Sequence, residues 1–191
     1  MFEPMPITLT GSFIQLEPLE QKHYETLKLL SQNEKISTYS PALKSKFDAW
    51  FNKALKSYPE SRQLTFVVRT LSDRKIVGST RFYEIYPDHQ RLSIGYTWYI
   101  PEVWGTVVNK ECKLLLLQYA FDKLDVNRVE FFIDLRNERS RAAVKKLGAI
   151  EEGVLRQHIV LDDGYVRDTV VYSLLKKEWN PALLNLEGGG E

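Results

Sequence analysis

Residues 12–18 set Phe13, Gln15 and Glu17 against Ile14 and Leu16, a period-two alternation that predicts a first strand. Residues 20–31 then carry Tyr24, Leu27 and Leu30 at helical spacing. Trp50, Phe51, Ala54, Leu55 and Tyr58 predict a second helix, opened by a capping box between Ser45 and Asp48 and closed at Pro59. Three segments rich in β-branched and aromatic residues, 63–70, 75–86 and 90–100, are separated by Ser72-Asp73-Arg74 and Pro87-Asp88-His89, which predicts antiparallel hairpins. Beyond Pro101, the positions Cys112, Leu115, Leu116, Tyr119, Ala120 and Leu124 mark a helix over 109–124 that needs cover on most sides. A strand over 126–135 leads to Asn137, an N-cap for a helix that ends at Gly148, where a left-handed C′ residue is expected. Two last strands, 153–161 and 166–175, join through Asp162-Asp163-Gly164 as a hairpin.

This order of elements predicts an α+β fold: a mixed, mostly antiparallel central sheet with helices on both faces, in a single domain over 1–180 with a polar, Gly-rich tail over 181–191. One crossover, through the helix at 109–124, is expected to pair its strands in parallel. A ligand crevice is expected at that junction, because the helix starts just beyond the carboxyl end of a strand.

Composition removes several classes. The chain has 191 residues and a net charge of +1 from 26 basic and 25 acidic side chains, which gives no global pull toward nucleic acid or an anionic membrane. Cys112 is the single cysteine, so an intrachain disulfide, a Cys-based zinc site and a redox pair are all excluded. The longest apolar run, residues 114–117, is far short of a membrane span, and the first 11 residues lack a secretion signal, so a cytoplasmic location is expected. Neither G-x-G-x-x-G nor G-K-[ST] occurs, the three histidines (His23, His89, His158) lie far apart, and there is no G-x-S-x-G. Dinucleotide, Walker-loop, metal and serine-triad chemistries lose their support.

What remains is the segment from Ile94-Gly95-Tyr96 through Trp104-Gly105-Thr106-Val107-Val108-Asn109 into the apolar helix, followed downstream by Asn137-Glu138-Arg139-Ser140. A strand breaks, a short loop with one glycine follows, and a helix begins with unpaired amides that attract a phosphate or pyrophosphate. Taken alone, this is also what an ordinary connection offers.

Taken together, Ile94-Gly95-Tyr96, Trp104-Gly105, Glu111 with its Leu-rich helix, Asn137-x-x-Ser140, Lys146-Leu147-Gly148, Glu152-Gly153-x-x-Arg156 and the stretch from Asp168 to Trp179 resemble the GNAT superfamily of acetyl-CoA-dependent N-acetyltransferases, in the branch similar to the RimJ/RimL ribosomal-protein acetyltransferases. The resemblance implies a sheet that splays open, here between 90–100 and 126–135, with acetyl-CoA in the V. It further implies that backbone groups of Trp98, Tyr99 and Ile100 pair with the pantetheine amides, and that Gly105, Thr106, Val107, Val108 and Asn109 receive the pyrophosphate. Asn137 would reach the pantetheine arm, Ser140 would sit near the thioester sulfur, and Arg141 and Lys145 would approach the cofactor phosphates. The family commonly has a second glycine where this chain has Val107, a restriction only if that residue needs φ > 0.

The expected chemistry is acetyl transfer to a primary amine, a protein N-terminus or a small molecule, by direct attack. A lysine-type amine titrates near ~10.4, so its proton must be removed; the oxyanion needs a donor, most simply a backbone N–H freed by a strand irregularity around Trp98; and the leaving thiolate gains from a hydroxyl such as that of Ser140. Glu84, in register with Phe82 and Tyr86, is a candidate base, against a plain ion pair with Arg81 or Arg91. Ser140 has an alternative role in capping amides, His158 and Asp168 are placed to pair across the last hairpin, and Cys112 reads as packing. Expected partners are acetyl-CoA and an amine, with no metal, nucleic acid or membrane, and a homodimer is left open. Two rivals stand beside this reading: a non-catalytic domain of the same fold that binds a CoA ester or a protein, and an interaction module with no CoA site, which predicts a blocked V.

Overall fold

The alternating segments assemble, in the computed structural model, into one eight-stranded sheet; residues 3–37 and 41–180 are described. Its strands are β1 (Leu9–Thr10), β2 (Ile14–Pro18), β3 (Gln63–Thr70), β4 (Ile76–Tyr86), β5 (Arg91–Tyr99), β6 (Arg128–Asp134), β7 (Ile150–Val160) and β8 (Val166–Leu175). They lie in the order β1-β2-β3-β4-β5-β6-β8-β7. Among these pairs β5 and β6 alone run parallel, as the crossover predicts. The segment over 181–191, read as a tail, lies outside the described residues.

Helices cover both faces. Four short ones, α1 (Tyr24–Ser31), α2 (Glu34–Ser37), α3 (Pro41–Ser45) and α4 (Phe47–Leu55), precede β3; α5 (Val107–Gln118) continues as a π-helical turn at Tyr119–Lys123; α6 (Glu138–Lys145) follows β6. Period-two alternation sorts the strand side chains between two cores. Leu64, Phe66 and Val68 of β3 join Phe82, Ile94, Val129 and Tyr172 against Cys112, Leu116 and Leu117 of α5 and Val144 of α6. Val67 and Trp98, on the opposite face, pack with Leu27, Phe47, Phe51 and Ala54 from α1 and α4. The edge strand β7 is exposed along its whole length.

Local departures have tertiary causes. The capping box expected at Ser45 and Asp48 is not formed: α4 starts after Lys46 without a side-chain cap, and the Asp48 carboxylate instead accepts from the Tyr24 hydroxyl at 2.6 Å and the Lys28 ammonium at 3.2 Å. The helix end at Gly148 and the cap at Asn137 form as read, with φ +87 at the glycine and the Asn137 side chain accepting from the Ser140 amide at 3.1 Å.

Candidate functional site

Parallel strands β5 and β6 pair over three residues only, Arg91 with Arg128, Leu92 with Val129 and Ser93 with Glu130. Beyond Ser93 the strands separate, while β5 stays paired to β4 and β6 to β8. The gap is therefore a wedge with intact ladders outside it, and its inner edges hold backbone groups that a ligand is free to match. Both helices that follow these strands begin at the open end: α5 after Thr106 and α6 after Asn137. Two positive helix termini thus converge on one mouth.

Gly105 stands at the turn into α5 with φ +75, and a Cβ added there would meet nothing within 4 Å. Thr106 is the N-cap; its hydroxyl accepts from the Val108 amide at 3.3 Å and donates to the Val103 carbonyl at 2.7 Å. Val107 is the first residue of α5, in helical conformation, so a β-branched side chain costs nothing there and the restriction feared for the missing glycine does not arise. Val108 is buried and Asn109 half-buried.

Along β5 the Ile100 amide is donated to the Val77 carbonyl of β4 at 2.9 Å, so it does not face the gap. Strand alternation turns the backbone of Tyr99 toward the gap instead, and its carbonyl accepts the Trp104 indole N–H at 2.9 Å. The Trp104 ring in turn lies 4.2 Å from the Arg139 guanidinium of α6. Trp104 therefore spans the mouth from β5 to α6. Trp98 is buried on the α4 side, edge-on to Trp50 at 6.2 Å.

The strand irregularity expected around Trp98 lies two residues earlier. Ser79 pairs with Trp98 and Arg81 with Gly95, so Thr80 opposes both Tyr96 and Thr97, and Tyr96 takes φ +50. This bulge falls where β5 has left β6. On the α5 side of it, Thr80 and Thr97 share a hydroxyl hydrogen bond of 2.8 Å, and Lys113 of α5 donates to Thr97 Oγ1 at 3.0 Å.

Other candidates move. Glu84 does not share the buried face of Phe82: it is exposed at a second irregularity of β4, φ +48, and its Oε2 accepts from the Tyr86 hydroxyl at 2.5 Å. Neither Arg81 nor Arg91 pairs with it; Arg91 binds Glu130 at 2.7 Å. Ser140 contributes its amide to the Asn137 cap, so the hydroxyl is not the cap. Arg141 points away from the mouth, into the Tyr172 hydroxyl at 3.2 Å and the Leu135 carbonyl at 3.1 Å, and Lys145 binds Glu151 at 3.1 Å. Arg139, which carried no sequence signal beyond its charge, lies over the Trp104 ring. His158 and Asp168 do not meet: His158 Nδ1 pairs with Thr169 Oγ1 at 3.1 Å, and Asp168 accepts from the Gln157 amide at 2.7 Å. Burial raises the Cys112 thiol above its usual range, which fits packing. Among the described residues no group of three or more His, Cys, Asp or Glu is placed to hold a metal, and no helix is long and apolar enough to cross a membrane.

Residues 14–150 match the family described as "Acetyltransferase (GNAT) domain". Over 110 residues the chain is 34% identical to the Bacillus subtilis (strain 168) protein named "Putative ribosomal N-acetyltransferase YdaF", a match covering 57% of this chain and 58% of that one. A second protein of that strain, "Uncharacterized N-acetyltransferase YoaA", is 31% identical over 119 residues, 62% and 66% of the two chains. The chain thus spans less than two thirds of the length of either relative. The crystal structure of a GCN5-related N-acetyltransferase from Brucella melitensis is similar with a TM-score of 0.84 at 33% identity, covering 95% of this chain and 84% of that one. The spermidine N-acetyltransferase from Vibrio cholerae, solved in complex with CoA and spermine, shares the fold with a TM-score of 0.72 at 20% identity over 88% and 98% of the chains.

Proposed function

Because this chain belongs to the GNAT acetyltransferase family, we propose that it moves acetyl from acetyl-CoA to a primary amine by direct attack, in the RimJ/RimL-like manner. The observation that carries this reading is the parting of β5 from β6 after Ser93, with two helix N-termini at its mouth.

The residues fit the co-substrate. The diphosphate has the open space at Gly105 and the first amides of α5, with Arg139 opposite; the amide-bearing arm has the Tyr99 edge of β5. The amine nitrogen attacks the thioester carbonyl, a C–N bond forms, the C–S bond breaks, and the thiolate leaves. Backbone N–H groups freed at the Tyr96 bulge supply the oxyanion donor. The Ser140 hydroxyl, which the Asn137 cap does not use, is the proposed group that protonates or hydrogen-bonds the thiolate. Glu84 is the proposed acceptor of the amine proton, from its exposed position beside Tyr83 and hydrogen-bonded to Tyr86. The non-catalytic rival had two motives, Val107 and the lack of an unambiguous base; the helical conformation of Val107 removes the first, and turnover with an amine panel decides the second.

Near-neutral charge and the single buried cysteine support a cytoplasmic setting without nucleic-acid or membrane partners. The exposed edge of β7, with Val154, Leu155 and Val160 outward, is the surface we assign to the homodimer, and sedimentation at micromolar concentration reads it. Calorimetry with acetyl-CoA, followed by thiol release with an amine panel, tests the activity. Saturable binding with amine-dependent thiol release is expected; no heat at millimolar acetyl-CoA overturns the reading.

A further inference from the structure

Helices α5 and α6 pack on one face of the sheet and α1 and α4 on the other. Arg81 of β4 lies on that face, paired across the ladder with Thr65 and Gly95. It is 1% exposed. Its Nη1 donates to Gln63 Oε1 at 2.7 Å, and Gln63 is fixed in turn by the Lys56 carbonyl at 2.9 Å. Arg81 Nε and Nη2 reach no acceptor, and among the described residues no carboxylate pairs with this guanidinium. Aromatic rings flank it instead, Tyr96 at 4.5 Å and Trp50 at 5.5 Å. Burial pulls its pKa down to about 10, so it keeps its charge at neutral pH.

A buried cation with two orphaned donors is costly, and cation–π contact returns only part of that cost. The identity of the two donors is informative. Nε and Nη2 are the side-on pair of a guanidinium, spaced to match the two oxygens of one carboxylate. This chain uses that pair twice for the purpose: Arg69 holds Glu17 through Nε at 2.6 Å and Nη2 at 3.1 Å, and Arg136 holds Asp134 through Nε at 3.0 Å and Nη2 at 2.7 Å. Arg81 presents the same fork with no side chain or carbonyl of the described residues bonded to it.

A second guanidinium shares Tyr96 as a neighbour. Arg167 of β8 donates through Nη2 to the Phe132 carbonyl at 3.2 Å, while its buried Nε has no partner. Its charged neighbours are Asp134, which is already held by Arg136, and Arg136 itself; Tyr83 and Tyr96 are its polar ones. The two rings meet edge to face at 5.0 Å. Tyr96, which interacts with both guanidinium groups, is half-exposed and sits in a left-handed conformation that a tyrosine seldom takes. It is the more exposed of the two rings that flank Arg81.

We propose that the acceptor amine carries a nearby carboxylate, which enters as the Tyr96 ring swings aside and is gripped side-on by Arg81 Nε and Nη2, with Arg167 completing the positive wall. This rests on the acetyl-transfer reading and names its substrate class. The carboxylate belongs either to a free amino acid or to an acidic residue beside a peptide N-terminus.

Matched pairs of acceptors test it on the intact protein with acetyl-CoA. One arm compares free amino acids with their carboxamides; the other compares short peptides with Asp or Asn at the second position. In at least one arm the acid is expected to exceed its amide in kcat/KM by 100-fold or more, chiefly through KM, and the arm that responds identifies the source. Arg81→Gln should collapse that ratio to within a few-fold, and Arg167→Gln should reduce it independently should the first variant fold poorly. Calorimetry of the same pairs on the CoA-bound protein supplies a readout that needs no turnover. Equal behaviour of acid and amide in both arms, or no binding of any acid to the CoA-bound protein, overturns the carboxylate proposal. Failure of CoA itself to bind overturns the acetyl-transfer reading instead.

Discussion

The indole N–H of Trp104 donates to the carbonyl of Tyr99 at 2.9 Å, the backbone group that a ligand strand in the gap would seek first. On the proposed placement of acetyl-CoA, an incoming amide competes with that donor for the carbonyl. Exchange of one neutral hydrogen bond for another is worth about 1 kcal/mol, so Trp104→Phe is expected to tighten acetyl-CoA binding by about 3- to 10-fold. The loss of tryptophan fluorescence change on titration should accompany it. A tenfold weaker affinity in the variant would instead make the indole part of the binding wall.

Glu111 supports the same helix from behind. Its carboxylate, 1% exposed, accepts the amides of Ser12, Phe13 and Ile14 at 2.5, 2.9 and 2.8 Å, fastening the β1–β2 turn to α5. Replacing it by alanine orphans three amides at once. Glu111→Ala should cost about 3 kcal/mol in denaturant unfolding, and a loss under about 1 kcal/mol would mean that water takes over the turn.

Lys113 is buried against Thr97 with its ammonium held below the ordinary lysine value of 10.5 by desolvation. Between the lowered folded value and 10.5, the folded chain has released the proton and the unfolded chain keeps it, so stability rises with pH in that window and is flat below it. Lys113→Met is expected to gain about 1 kcal/mol at neutral pH. Thermal melts should show that gain shrinking as pH approaches 10.5; a constant gain would argue that the lysine is already neutral at pH 7.

Elements governed by local pattern were legible before the fold. Ile14 and Leu16 alternate because they pair with Thr70 and Val68 over one core, and Asn137 caps because its side chain reaches an amide three residues away. The splay between β5 and β6 was legible only through family resemblance, since Ile94 to Tyr99 read as strand whether paired or not. The irregularity near Trp98 was expected because the chemistry needs an oxyanion donor, and it lies two residues earlier at Tyr96; the break at Glu84 had no such signal. Glu84 and Tyr96 adopt left-handed φ without being glycine or asparagine, so the alternation that put Glu84 beside Phe82 had no warning of the break. Arg81 was missed for a related reason: a missing partner is a property of the assembled neighbourhood, and the sequence shows charges without showing which of them meet. Arg141 and Arg139 differ by two positions on one helix, which turns one toward Tyr172 and the other over Trp104.

Gly105 separates backbone strain from occupancy. With φ +75 and no atom within 4 Å of a built Cβ, alanine there is strained but not crowded. Gly105→Ala should lower stability by about 1 kcal/mol while leaving acetyl-CoA affinity within a few-fold. Gly105→Trp adds a ring to the space assigned to the diphosphate and should weaken affinity by tenfold or more at similar stability. Equal affinity in the two variants would move the diphosphate elsewhere.

Ser140 isolates the leaving-group step. Its amide, rather than its hydroxyl, completes the Asn137 cap, so Ser140→Ala preserves the hydrogen bond that starts α6 and the helix should keep its melting temperature within a degree or two. A hydroxyl that acts on the developing thiolate interacts mainly in the transition state, so its removal should lower kcat by roughly 10- to 100-fold with little change in acetyl-CoA affinity. The deficit should diminish with an acyl donor whose thiol is more acidic, because a better leaving group needs less help. A loss of affinity equal to the loss in rate would assign Ser140 to cofactor binding rather than to the chemical step.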